Sequence, residues 1–422
     1  MQKKILYITY DGLTDPLGQS QILPYLMHLA RRGYLFTILS FEKRNRFDKE
    51  GQLIQEIVNK AGIEWIPLTF TAKPPVLSKV YDRYRMSRTA LSLHRQKNFD
   101  LVHCRSYIAA EVGLLLKRRF GVKMLFDMRG FWADEKVDNG QWNLKHPLFN
   151  RIYRHYKQKE KDFLLNADGI ISLTQAAKAY LKQQQEYRNL SIEVIPCCAD
   201  LHHFDYTKVD PLSVDSLRVE LGIPANTKVI TYLGSVGGWY MTKEMFQFFN
   251  ILQQRQPEYK MLILTKDDPE VVKQEAAAQG IPTEKLIVTY SDRKRLPVFL
   301  ALCDWSIFFI RNTFSKTASS PTKHAELMGM GIPVVCNTIG DTGNIIKTTA
   351  TGLLVDDFSR VTFEKACGEM AHFDKMDKKV IRHFAKEYFD LEMGAENYLR
   401  LYRRILENEL TGSRVHEFTN QV

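Results

Sequence analysis

Ser320-Pro-Thr-Lys-His-Ala-Glu-Leu-Met-Gly-Met-Gly-Ile-Pro-Val-Val335 is the stretch that decides how this 422-residue chain folds. Before it, Trp305–Ile310 is a β-rich apolar run, and a polar loop, Arg311–Ser319, follows. Ser320 reads as an N-cap and Pro321 as the first helical residue. Gly329 and Gly331 permit a tight return into a second strand, Pro333–Cys336. The helix therefore starts at the carboxyl end of a strand, where free N–H groups and the positive dipole end attract an anion. Lys323 adds a full charge there, and Ser319, Ser320 and Thr322 add hydroxyl donors. Glu326 lies one turn further and can accept from two sugar hydroxyls, as acidic residues do for ribose in dinucleotide folds. The same residues also suit a plain capped helix with a solvated glutamate.

The alternation extends in both directions. Downstream of residue 200, Lys228–Leu233, Met261–Thr265 and Leu286–Val288 read as further strands. Upstream, Lys4–Thr9, Phe36–Phe41, Leu101–His103, Met124–Asp127 and Gly169–Leu173 do the same. An amphipathic helix is expected from about Gln19 to Arg32, with Ile22, Leu23, Leu26, Leu29 and Ala30 on one face. Strands alternating with helices mean βαβ units and parallel sheets. The fold class is thus α/β, with two Rossmann-like doubly wound domains. They are placed at 1–195 and 196–392, joined through Val194–Asp200. Ligands of such sheets bind outside the carboxyl ends of the strands, so the two domains are expected to face one cleft. A last helix near Met393–Glu407 carries Tyr398, Leu401, Tyr402 and Ile405 at helical spacing and suits either domain.

Composition narrows the class. The chain is 45% hydrophobic, 25% charged and 11% aromatic, which excludes disordered, collagen-like and disulfide-scaffold proteins. Six cysteines form no CxxC pair, and free thiols in a reducing cytosol are expected. No apolar run approaches the ~18 residues of a membrane span, so a cytoplasmic protein is expected. The net charge of +11 is unevenly placed. Residues 1–200 hold 32 Lys and Arg against 20 Asp and Glu, a net of +12; the remainder holds 27 against 28, a net of −1. Residues 73–97 read as a basic amphipathic helix, with Leu77, Tyr81, Tyr84 and Leu91 near helical spacing. Such a face suits anionic lipid headgroups. Nucleic acid is the competing polyanion, but no nucleic-acid motif is present and none is expected as partner.

Glu326-Leu-Met-Gly-Met-Gly-Ile-Pro-Val-Val335 resembles the donor-site motif of family 4 retaining glycosyltransferases with the GT-B fold. Ala167–Ser172, Ile195–Phe204, Gly340-Asp341 and Thr351–Val355 resemble that family's other landmarks, in its order, over about 1–405. The resemblance implies a nucleotide-sugar donor held by the C-terminal domain and a lipid-linked or glycan acceptor at the N-terminal one. It implies no essential metal or cofactor, and together with the basic N-terminal domain it leads to the expectation of cell-surface polysaccharide biosynthesis and peripheral attachment to the inner face of the cell membrane. It also implies that the last helix, taken to span 393–410, joins the N-terminal domain. In the loop Asp11–Gln21, Gly18 and Gln19 would approach the donor phosphate and sugar.

Two features depart from the family pattern. The first of its two glutamates falls at Ala318. Its phosphate-clamping Arg and Lys fall at Ser235 and near Tyr240, beside Trp239. A diphosphate needs cationic partners. The expectation is therefore a weak clamp, partly supplied by Lys323, and a single-phosphate donor such as a CMP-activated acidic sugar.

Phe126-Asp-Met-Arg-Gly-Phe-Trp-Ala-Asp-Glu135 places an acid, an arginine and two aromatics at a strand end. Asp127 and Arg129 are the candidate catalytic residues, positioning an acceptor hydroxyl or a charged group, with Asp127 the candidate base. The competing readings are an epimerase or hydrolase acting on nucleotide sugars, and a non-catalytic nucleotide-sugar binding protein.

Overall fold

The computed structural model describes residues 2–373 and 375–407. They form two compact units, divided between Pro196 and Cys197 and again between Asp390 and Leu391.

The first unit is built on seven strands: β1 (Lys4–Thr9), β2 (Leu35–Glu42), β3 (Glu64–Thr69), β4 (Leu101–Arg105), β5 (Lys123–Asp127), β6 (Gly169–Ser172) and β7 (Ile192–Val194). Their order is β3-β2-β1-β4-β5-β6-β7 and the pairings are parallel. Register pairs Ile5 with Phe36 and Cys104 with Phe126. β1 is buried from Ile5 to Thr9, because helices cover both faces of a parallel sheet. β3 was not anticipated. Pro67 interrupts its apolar run and removes a ladder donor, which only an edge strand such as this one tolerates.

The expected helix Gln19–Arg32 is two helices, Pro16–Gln21 and Leu23–Arg31. Pro24 has no N–H to donate, and the chain turns at Ile22 with φ −124° and ψ −67°. The helix Pro75–Lys97 forms as the spacing predicts. The last helix spans Leu391–Glu407; the remainder of its expected span, 408–410, lies outside the described residues. It packs in the first unit, where the ring of Tyr398 meets Tyr25 at 5.3 Å and that of Tyr402 meets Tyr34 at 5.3 Å.

The second unit carries β8 (Lys228–Leu233), β9 (Tyr259–Leu264), β10 (Leu286–Thr289), β11 (Trp305–Phe308), β12 (Val334–Cys336) and β13 (Gly352–Leu354). Their order is β10-β9-β8-β11-β12-β13, again parallel. Its core gathers Phe246, Phe248, Phe249, Trp305 and Phe309. In each unit the order reverses once, between β1 and β4 and between β8 and β11. Those switch points are where open α/β sheets hold ligands.

Candidate active site

In the second unit, the loops that follow β8 and β11 flank the switch point. Gly234 has φ +138°, and a Cβ there would lie 2.7 Å from Lys323 Nζ. Glycine therefore lets the backbone come up against the ammonium. The loop 234–241 is tied to the segment after β11. Met241 N–H donates to Phe309 O at 2.9 Å, and Arg311 N–H donates to Trp239 O at 2.9 Å.

Three cations seat on the aromatic rings of this region. Lys316 Nζ lies 3.8 Å from the Trp239 ring centre, with the Arg311 guanidinium 5.4 Å from the same ring. Lys323 Nζ lies 3.8 Å from the Tyr240 ring and 4.4 Å from that of Tyr232. Lys323 is only 8% exposed, and among the described residues its ammonium has no hydrogen-bond partner. Burial pushes its pKa down to about 7, against an upward pull from Glu326. The rings at 239 and 240 are therefore cation seats. Arg311, Lys316 and Lys323 bring positive charge from 311–323 to the positions where the weak clamp is expected. Ser235 contributes its carbonyl, which accepts from Tyr232 Oη.

The helix after β11 starts later than expected, at Thr322, with Pro321 as its cap. Ser320 is not the N-cap: its Oγ accepts from Cys197 N–H at 3.1 Å. Ser319 and Thr322 stand half-buried at the helix start. Glu326 is buried one turn in, and burial raises its pKa. The opposing influence is Arg293, whose Nη1 donates to Glu326 Oε1 at 2.9 Å.

In the first unit, β5 ends on Asp127, which is fully buried. Its Oδ2 accepts from Tyr398 Oη at 3.2 Å. The same oxygen lies 3.8 Å from Arg105 Nη1, 3.8 Å from Arg129 Nη1 and 3.7 Å from His103 Nε2. Burial alone would raise the Asp127 carboxyl, but Arg129, His103 and Arg105 outweigh it and hold it below the usual range. Burial keeps the His103 ring neutral, and its Nδ1 meets Tyr402 Oη at 2.7 Å. Arg129 adopts φ +59°, a left-handed conformation that a side chain rarely takes. Asp127 has no exposed surface, and Arg105 and Arg129 are the cations that face its carboxylate.

Gly18 and Gln19, expected in a loop, lie in the short helix Pro16–Gln21. A Cβ on Gly18 would lie 2.2 Å from Gly12 O, so this glycine serves the loop's own packing. Gln19 Nε2 donates to Glu50 and to Thr14 O, so its amide is already engaged.

Residues 24–203 match the family model described as Glycosyltransferase Family 4, and residues 213–385 match that described as Glycosyl transferases group 1. The chain is a group 1 glycosyltransferase of family 4.

This glycosyltransferase is 21% identical over 339 residues to a D-inositol 3-phosphate glycosyltransferase of Rhodococcus opacus, covering 77% of this chain and 72% of the relative. Sucrose-phosphate synthase from Thermosynechococcus elongatus superposes with a TM-score of 0.71 at 16% identity, covering 96% of this chain and 100% of that one. The Anabaena protein HepE, solved with UDP and glucose, gives 0.65 at 15% identity over 94% of this chain and 98% of that one. These likenesses show the GT-B fold.

Of the residues singled out in the glycosyltransferase sequence, the structure gathers Ser235, Trp239, Tyr240, Lys323 and Glu326 at one switch point. It gathers Asp127 and Arg129 at the other. Sequence reasoning missed Arg293, Arg311 and Lys316. Arg293 and Arg311 lie in polar loops just past a strand, and Lys316 in the short 3-10 helix Phe314–Ala318; polar segments after strand ends are the signal that would have found them.

Proposed function

We propose that this enzyme transfers a sugar from a nucleotide-activated donor to a lipid-linked or glycan acceptor in cell-surface polysaccharide biosynthesis. The transfer retains anomeric configuration and requires no metal. The observation that carries this reading is the pair Lys323 and Glu326 on one helix at the β8/β11 switch point. The ammonium suits a phosphate, and the carboxylate one turn on suits ribose hydroxyls. Arg311 and Lys316 extend the anion site, and Ser319 and Thr322 offer hydroxyls at its edge. Ser235, Trp239 and Tyr240 shape the wall. In the first unit Arg129 is the acceptor-facing group, and Asp127 positions it from below.

The first unit also suits an anionic membrane surface. On the helix Pro75–Lys97, Leu77, Val80, Tyr81 and Tyr84 lie between 54% and 68% exposed. The inward positions Ser78 and Asp82 are buried, and Asp82 accepts from Thr71 and Tyr10. The inward face also carries Met86 and Ala90, both fully buried, so the exposed apolar residues Leu77, Val80, Tyr81 and Tyr84 form a second apolar stripe that the core does not cover. Exposed Lys73, Lys79 and Arg88 flank the apolar stripe. Such a helix lies in a lipid interface. Among the described residues no helix is long and apolar enough to cross a membrane.

The test is a panel of UDP-, GDP-, ADP- and CMP-sugars, with and without a lipid-linked acceptor fraction, followed by nucleotide release. Release that depends on acceptor supports transfer. Release or epimerisation at full rate without acceptor contradicts it and favours a hydrolase or epimerase.

A further inference from the structure

Glu326 accepts a hydrogen bond on one oxygen only. Oε1 takes the Arg293 bond at 2.9 Å, and among the described residues Oε2 accepts none. Arg293 is held at two points. Its guanidinium lies 5.1 Å from the Phe204 ring centre, and its carbonyl meets His203 Nε2 at 2.9 Å. The turn that carries His203 and Phe204 is itself fixed. Asp200 Oδ1 accepts from the N–H groups of His202 and His203 at 2.9 and 3.1 Å. Arg382 donates to Leu201 O and to Gly329 O, both at 2.6 Å, which ties the turn to the far end of the Glu326 helix. An exposed ion pair is worth little. This one differs, because its acceptor is buried and its donor is anchored at head and backbone.

We infer that Arg293 is a positioning residue for nucleoside recognition: it fixes the Glu326 carboxylate through one oxygen and leaves the other for the donor's ribose hydroxyls. The inference rests on reading Glu326 as the ribose acceptor. One carboxylate oxygen has lone pairs for two hydroxyls, so Oε2 suffices for both. The charged groups facing Glu326 are Arg293 from the loop after β10, Lys323 from its own helix, and His203 from the turn. Burial pushes the Glu326 carboxyl up, and Arg293 is the largest influence opposing it. Without Arg293 the carboxyl holds its proton at higher pH. A protonated carboxyl offers fewer acceptor sites to ribose.

The experiment is titration calorimetry of UDP, GDP, ADP and CMP, with saturation-transfer NMR for weak binders. Wild type, Arg293→Ala, Arg293→Lys, Glu326→Gln and the Arg293→Ala/Glu326→Gln double variant are compared from about pH 5.5 to about pH 8. Arg293→Ala is expected to bind the tightest nucleotide about tenfold more weakly than wild type at the upper pH, and about tenfold more weakly again at the lower. Taking each affinity relative to wild type at the same pH cancels most of the contribution of Lys323 and His203, which all the variants keep. Arg293→Lys is expected to restore a pH profile parallel to that of wild type, with part of the affinity. In the Glu326→Gln background the Arg293→Ala change is expected to have little effect. Arg293→Ala binding within about twofold of wild type across the range overturns the inference. So does an Arg293→Ala effect that persists undiminished beside Glu326→Gln. If none of the four nucleotides binds wild type, the donor-site reading itself falls, a result distinct from a silent Arg293.

Discussion

Lys323 and Arg105 are both buried cations, 8% and 4% exposed, in opposite settings. Lys323 rests on two tyrosine rings with no hydrogen-bond partner among the described residues. Arg105 approaches Asp127 at 3.8 Å and Asp11 at 3.4 Å. Burying a charge costs stability unless something compensates it. In the first unit the compensation is an internal ion pair, although Arg105 Nη1 and Asp127 Oδ1 have no hydrogen-bond partner among the described residues. In the second, Glu326 is the carboxylate that acts on Lys323, and on the proposed function the ammonium is left for an anion from outside. Chemistry and framework are thus separated by how each buried charge is balanced.

The largest effect that sharpens this contrast is expected at Asp127. Asp127→Ala leaves Arg105 and Arg129 without their shared carboxylate. Breaking a buried pair in this way costs about 3–5 kcal/mol, read by urea unfolding. An unchanged midpoint would mean that the cluster does not hold the first unit together.

Lys323→Met is expected to do the reverse. Anion affinity falls about tenfold or more, since a bond to a charged group is lost, while the melting temperature holds or rises. A variant that both binds normally and melts early would erase the distinction between the two units.

The pH dependence follows from the direction of the Lys323 shift. Its folded pKa is depressed to about 7, whereas an unfolded lysine titrates near ~10.4. Between those values the unfolded chain binds more protons, so the stability contributed by this residue rises with pH across that window. Nucleotide affinity runs the other way and weakens as pH climbs past about 7. Lys323→Met should flatten both slopes.

The smallest effect on the fold is expected on the helix Pro75–Lys97. Changing Leu77, Tyr81 and Tyr84 together to Ser should leave melting unchanged, because all three face outward. Sedimentation with vesicles of anionic lipid should fall sharply. Undiminished sedimentation would place the membrane contact elsewhere.

The architecture was largely legible because parallel strands are buried on both faces and read as apolar runs. β8 was read at its observed limits, Lys228–Leu233. β3 escaped because Pro67 argues against a strand unless it lies at an edge, and edges are not visible in sequence. At the site, Lys323 and Glu326 were legible because one helix places them a turn apart. Arg293 was not, since it reaches Glu326 across 33 residues of chain. The burial of Asp127 was equally hidden. A strand-terminal acid points to water or to core according to what covers it, and here that includes Tyr398, 271 residues away. The aromatic pair Trp239 and Tyr240 looked like lost charge because the cations they seat, Lys316 and Lys323, lie far along the chain.

The central claim is that the second unit binds a nucleotide-activated sugar with Glu326 on the ribose. Saturation-transfer NMR with UDP-, GDP-, ADP- and CMP-sugars, on wild type and Glu326→Ala, tests it most directly. The account predicts that at least one donor shows strong saturation of its ribose protons with wild type and loses it with the variant. Ribose saturation that is unchanged in Glu326→Ala would contradict it.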